Sequence, residues 1–208
     1  MNEVFLTHPG RVLVPDGLGA VRRLITDSLR ASSLAPMIDE IAGAVSSGKM
    51  LRARLTLKIG AATGAPEDSL VRAGAAVEMI HAASLLHDDV IDGSYLRRGA
   101  PSFWTKKGVS GAILLGDLLV CKAFQLLDGT DQGRLSTMLV RFSAEMCDAE
   151  VDQELVTRGA VSDWRKSVVI ARRKTGSLFA FAGAATDASR NGQGEALMEA
   201  GYRIGTAY

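Results

Sequence analysis

The sequence predicts an all-α protein. Apolar residues return at spacings of three and four along nearly the whole chain, and no segment shows the strict alternation of a half-buried strand. With 208 residues, 47% of them hydrophobic and 23% charged, the chain is long enough for one sizeable core, so a single domain over residues 1–208 is expected. No internal repeat, low-complexity tract or linker divides it.

The same spacing sets the elements in order. Helices are expected near 17–31, 35–46, 48–63 and 67–92, then near 109–128, 131–158, 161–185 and 190–208. Between the third and fourth, Gly64 supplies a stop and Pro66 a start. Glu67 and Asp68 then fall in the first turn, where the helix dipole favours acids. The fourth helix would span about 39 Å at ~1.5 Å per residue, so it must run through the core. GSYLRRGAPS, with two glycines and a proline, ends it as a loop, and TRGAVSDW and SRNGQG are shorter breaks of the same kind.

Charge and cysteine usage narrow the function. A formal net charge of +1 and a pI near 7.8 leave no basic stripe for nucleic acid, so any anion recognition must be local. Cys121 and Cys147 lie in apolar helical patterns, without the spacing of a disulfide framework or zinc site, and read as buried thiols in a reducing compartment. The opening MNEVFLTHPGRV has an early Glu3 and no apolar run of signal-peptide length, and longer apolar runs are broken by residues such as Asp117. A soluble, cytoplasmic protein is expected.

The chemistry concentrates at SLLHDDVIDGSYLRRGAPS, Ser84 to Ser102. Asp88 and Asp92 are four apart and Asp89 is three before Asp92, so on a helix the three carboxylates are expected to converge on one patch. They sit in a last turn, against the dipole and against each other, at a cost of roughly 0.2–0.5 kcal/mol per like-charge neighbour on an exposed helix. A hard divalent cation removes the conflict, and oxygen ligands with room for water and phosphate suit Mg²⁺. The alternative is a solvated helix end with a chance acidic cluster. Arg97 and Arg98 follow in a loop able to fold back over the same mouth, and guanidinium forks pair with phosphate oxygens. Lys49, Arg52 and Arg54 cluster at an upstream helix start, another place that favours anions. His81, two turns deeper than Asp88, is either a donor to an anion or a satisfied core histidine. Lys174 and Thr175 interrupt an apolar helix and need polar company if they face inward.

Five segments, GKMLR, EMIHAASLLHDDVIDGSYLRRGAPS, LLGDLLVCKAFQLL, AEVDQ and RRKTGSLF, follow one another in this order. They resemble, also in order, the GKRLRP segment, the first aspartate-rich block and its following helix, the GExxQ segment and the KTxxLF segment of the trans-isoprenyl diphosphate synthases, the polyprenyl synthetase family. The resemblance runs from about Gly48 to Tyr208. It implies an isoprenoid-synthase-type helical bundle around a central cavity, and a Mg²⁺-dependent prenyltransferase joining isopentenyl diphosphate to an allylic diphosphate. It further implies that Asp88, Asp89 and Asp92 bind Mg²⁺ and that Arg97 contacts the allylic diphosphate, with Lys174 and Thr175 reaching it from the opposite side. Lys49, Arg52, His81 and Arg98 are implied to bind isopentenyl diphosphate. Catalysis would be charge stabilisation and positioning in a dry cavity, in keeping with the lack of a Ser, Cys and His nucleophile constellation.

Ala83 and Ser84 stand fifth and fourth before Asp88, where short-chain relatives carry aromatic rings. Small side chains there imply an open tunnel and products longer than fifteen carbons, the wording being nearest to octaprenyl-type synthases. Met50, Ala53 and Ala149 depart from the family's usual Arg, Pro and Gly. AGYRIGTAY resembles the start of GxxLGxAFQxxDDxxD, and the sequence ends there. Residues 1–208 therefore read as an incomplete polyprenyl synthase domain lacking the family's C-terminal helices, with little or no chain elongation on its own. The resemblance implies a homodimer, or a heteromer with a complete subunit. A non-catalytic subunit or degenerate relative that partners an active synthase is the other reading, against which stand the three repelling carboxylates. A terpene cyclase is disfavoured by the basic set and the LRRG loop.

Overall fold

A computed structural model of the chain describes residues 16–46, 48–129, 133–159, 163–187 and 193–208. The described residues are helical except for short connections and one two-residue β-pair. Helix α1 (Gly17–Arg30) buries Val21, Ile25 and Leu29, four apart on one face, and leaves its arginines outside. A 3₁₀ turn, Ala35–Met37, leads into α2 (Ile38–Ser46). Helix α3 (Leu51–Thr63) starts three residues later than its apolar spacing suggests, because Met50 takes a left-handed conformation with φ 48° and starts the helix only after itself. Gly64, at φ 74°, closes α3 as expected.

Helix α4 (Glu67–Ile91) is the core helix that its length demanded, and α1, α2, α3, α5 and α8 all pack on it. Its buried surface is rich in alanine, Ala73, Ala75, Ala76, Ala82 and Ala83 among them, so neighbours approach closely. The strands β1 (Leu96–Arg97) and β2 (Ala100–Pro101) form a hairpin absent from the helical expectation, too short to leave any periodicity in the sequence. Its two-residue turn, Arg98 and Gly99, has φ of 53° and 80°, matching the positive values that tight hairpins require. Helix α5 (Phe103–Leu127) begins with an extra turn before a break at Gly108, φ 76°, after which the expected helix from 109 runs to its end.

Helix α6 (Arg134–Val151) continues as a π turn, Asp152–Val156. The single helix expected over 161–185 is α7 (Trp164–Ala171), a second π turn, Arg172–Gly176, and α8 (Ser177–Ala184), whose residues are all buried. Helix α9 (Gly194–Ala207) lies on α8 backbone to backbone. A Cβ at Gly201 would meet the Phe179 carbonyl oxygen at 2.2 Å, and one at Gly183 the Leu197 carbonyl oxygen at 2.3 Å. The helix starts expected at 131, 161 and 190 and the opening twelve residues lie outside the described residues.

Two expectations about apolar helices are corrected or qualified. Cys121 and Cys147 are exposed rather than buried: the inward face of α5 is carried by Leu115, Leu119 and Ala123, and that of α6 by Leu139, Phe142 and Met146. By length and composition α4 and α5 could each cross a membrane, but α4 is the central helix of the core, with two thirds (67%) of its most apolar window buried in the protein.

Candidate functional site

The site is built at the C-terminal end of α4, where the chain leaves the core and turns into the hairpin. Asp88 and Asp92 stand one helical turn apart and repel each other. The Asp88 carboxyl is pushed up to about 6, first by burial and next by the Glu150 carboxylate of α6, with Lys174 opposing. Asp89 does not join them. One residue step turns a helix by about 100°, and Arg97 claims this carboxylate: its Nε donates to both oxygens at 2.8 and 2.7 Å, and a terminal nitrogen lies 2.6 Å from one. Asp89 is 3% exposed while the Arg97 side chain is about one third exposed, so the pair is buried at its acid end and reaches outwards at its cation.

The hairpin that delivers Arg97 is tied back to its base. The Ser102 hydroxyl and the Trp104 indole N–H both donate to the Ser94 carbonyl, at 2.6 and 2.8 Å. The turn aims Arg98 at Gly48, where a Cβ would stand 3.1 Å from a guanidinium nitrogen, so glycine there lets the cation lie against the backbone. Arg97, Arg98, His81, Glu78, Asp89 and Lys106 give polar groups to a cavity of about 540 Å³, with Gly48 and Met50 on its α3 side.

A second cavity, of about 360 Å³, shares His81 and Leu85 with the first. Its polar members include Arg52, Asp88, Glu150, Lys174 and Thr175, and Ile80, Ala83, Val120 and Met146 supply apolar surface. Lys174 and Thr175 come from the second π turn, a local widening of the helix that recurs at functional sites. Lys174 pairs with Glu150, and its neighbour Arg173 pairs with Asp148 and, at 3.2 Å, with Asp152, which fastens this turn to the end of α6. Arg52 is buried at 8% exposure. Its Nε has no hydrogen-bond partner among the described residues, its guanidinium lies 4.7 Å from the Phe179 ring centroid, and burial lowers its pKa to about 10. Burial, followed by Arg52, Arg98 and Arg97, pushes His81 down to about 3, so near neutral pH it is an uncharged donor.

The residues singled out in the sequence thus fall into two adjoining groups. Arg97, Arg98 and Asp89 line the first cavity; Arg52, Asp88, Lys174, Thr175, Ala83 and Ser84 line the second; His81 lines both. Arg52 lines the second cavity with Lys174, while its charge, like that of Arg98, also reaches Glu78 and His81. Lys49 is exposed and lines neither cavity, although Gly48 beside it lines the first, and Asp92 is exposed at the helix end. Two residues had escaped a site role. Glu150 pairs with Lys174 and faces Asp88, and its signal was its place in AEVDQ. Glu78 is a buried acid in AGAAVEMIHAAS, and a lone acid in so apolar a segment was the available cue.

Among the described residues no three His, Cys, Asp or Glu side chains are arranged as a ready metal cluster. Asp88 and Asp92 still fit Mg²⁺, which is commonly held by one or two carboxylates with the rest of its shell from phosphate and water. The crowding that raises the Asp88 carboxyl is the conflict such a cation would relieve. Asp89, as arranged, spends its oxygens on Arg97.

Comparison with known proteins agrees with this architecture. The sequence profile of the polyprenyl synthetase family matches residues 34–208. Over 172 residues the chain is 32% identical to a geranylgeranyl diphosphate synthase of Methanosarcina mazei, covering 78% of this chain and 53% of that protein. A polyprenyl synthase from Caulobacter crescentus CB15, solved with calcium and isoprenyl diphosphate, superposes with a TM-score of 0.83 at 34% identity, over 91% of this chain and 58% of that one. A decaprenyl diphosphate synthase from Rhodobacter capsulatus gives a TM-score of 0.85 at 30% identity, over 92% and 60%. The chain spans about half the length of the curated relatives it matches.

Proposed function

Because this chain belongs to the polyprenyl synthetase family, we propose that it is the substrate-binding part of a soluble, cytoplasmic prenyltransferase that condenses isopentenyl diphosphate with an allylic diphosphate. The observation that carries this is the pair of adjoining cavities, each with its own cations and joined at His81 and Leu85. Two diphosphates have to lie side by side for a carbon–carbon bond to form between their chains. The first cavity, with Arg98 and the neutral His81 donor, suits the small isopentenyl substrate, while Arg97, expected from the resemblance on the allylic diphosphate, lines this cavity paired with Asp89. The second combines Arg52, Lys174 and Thr175 with apolar surface, as an allylic diphosphate with a hydrocarbon tail needs. Lys49, exposed beside Gly48, would close on the first diphosphate from outside.

In the reaction the allylic C–O bond breaks and its electron pair leaves with the diphosphate. The isopentenyl double bond attacks the allylic cation, and a proton then passes to the released diphosphate. Asp88 and Asp92 would hold Mg²⁺, with Asp89 held ready by Arg97. When bound, the cation supplies positive charge to the departing diphosphate oxygens. Lys174, Thr175 and Arg52 orient that group by hydrogen bonding, and the apolar walls exclude water from the cation. A homodimer, or a heteromer with a longer subunit, is part of the proposal.

Product length follows from the same cavity. Ala83 and Ser84 line it with small side chains, leaving room for a growing tail beyond fifteen carbons. Incorporation of radiolabelled isopentenyl diphosphate onto farnesyl diphosphate, with chromatography of the products, tests both points. It is run on residues 1–208 and on a longer product of the same reading frame. Elongation past fifteen carbons by the longer product, little or none by residues 1–208, and shorter products from Ala83→Phe are expected. An unchanged product distribution in Ala83→Phe would overturn the tunnel assignment.

A further inference from the structure

Helix α3 starts without a cap of its own. Met50 occupies the capping position at φ 48° and offers no side-chain acceptor. The missing acceptor arrives from α4: a Glu78 carboxylate oxygen accepts the Ala53 N–H at 3.0 Å in a buried setting. This sequence can make that bond because residue 53 is alanine; proline, the residue expected there from the resemblance, has no N–H to donate. The first turn capped in this way carries Arg52, whose buried Nε has no partner among the described residues and which lines the second cavity. Glu78 itself is 6% exposed and lines the first cavity beside His81 and Arg98. A buried carboxylate is costly unless it is hydrogen-bonded, and burial does raise this one above the ordinary range against the pull of the Ala53 N–H, Arg52 and Arg98. A wall between two anion sites is an expensive place for an acid with no task.

We propose that Glu78 is a positioning residue for both diphosphate sites: by fastening the first turn of α3 it fixes how Arg52 is presented to one cavity and stands beside Arg98 in the other. The inference rests on the function proposed above. It assigns Glu78 an effect through reach rather than charge. Glu78→Gln keeps an oxygen acceptor at the same distance and loses the charge. Glu78→Asp keeps the charge and withdraws the acceptor by one methylene.

Calorimetric titration of isopentenyl diphosphate, and separately of a non-reactive allylic bisphosphonate with Mg²⁺, into the wild-type chain and both variants, with far-UV circular dichroism at the same temperature, separates the possibilities. Binding by the wild type, a roughly tenfold loss in Glu78→Asp (about 1.4 kcal/mol) and retention within about threefold in Glu78→Gln are expected, with helicity unchanged. A folded Glu78→Asp that binds as the wild type does, even with a lowered melting temperature, would reduce Glu78 to a stabilising cap and overturn the proposal. So would a tenfold loss in Glu78→Gln, which decides the matter even if the aspartate variant fails to fold. Absence of binding by the wild type would overturn the functional reading, and this inference with it.

Discussion

At Asp88 the folded protein holds a carboxyl that burial, Glu150 and Asp92 push up to about 6, from 3.8, against the pull of Lys174 and Arg97. Between those values the folded chain binds more protons than the unfolded one, so its contribution to stability falls as pH rises through that window and the cost is fully present above it. Asp88→Asn removes the cost. In metal-free buffer the variant is expected to be more stable than the wild type by roughly 1 kcal/mol at pH 7.5, after discounting for partial exposure. The gain should shrink as pH is lowered towards 4, and urea unfolding at several pH values would show it. A gain that is absent, or the same at every pH, would contradict this electrostatic account. The sequence made the crowding at Asp88 and Asp92 legible through the spacing of DDVID alone. It did not make legible the withdrawal of Asp89 to Arg97, because Arg97, eight residues downstream, is brought back by a hairpin turned at Arg98 and Gly99 that is invisible to helical periodicity.

Whole elements were easier to read than their interruptions. The long apolar segment over 161–185 announced a buried helix, but not the π turn at Arg172–Gly176 that displays Lys174 and Thr175, nor its pairing with the end of α6 through Arg173 and Lys174, a tertiary contact that helical spacing does not record. The extra turn of α5 before Gly108 was hidden for the same reason, since it packs behind a loop tied to Ser94. Glycines distinguish contact from freedom between elements. Gly201→Ala would drive a methyl into the Phe179 carbonyl and separate α9 from α8, at an expected cost of roughly 2–3 kcal/mol. Gly43→Ala in α2 meets nothing within 4 Å and is expected to be neutral or to add about 0.5–1 kcal/mol through helix propensity. Chemical denaturation of the pair measures both, and equal stabilities would contradict the close approach of α8 and α9.

For the molecule as a whole, α4 organises both fold and site: among the described residues its alanine-rich middle lets α1, α2, α3, α5, α6 and α8 gather round it, and its end carries Asp89 into one cavity and Asp88 into the other, with Asp92 exposed just beyond. Length and apolar spacing were enough to predict that role. The division of the cationic residues, with Arg52 and Lys174 lining one cavity and Arg97 and Arg98 the other, depends on how α3 and the hairpin pack on α4, which no spacing in the sequence records. The second cavity is proposed to take an allylic diphosphate with the help of Mg²⁺ at the end of α4. Calorimetric binding of a non-reactive allylic bisphosphonate, with and without Mg²⁺, to the wild type and to Asp88→Ala tests that assignment most directly. Mg²⁺-dependent binding that is lost in Asp88→Ala while the helical circular dichroism spectrum is kept is expected; equal, metal-dependent affinity in the variant would contradict it.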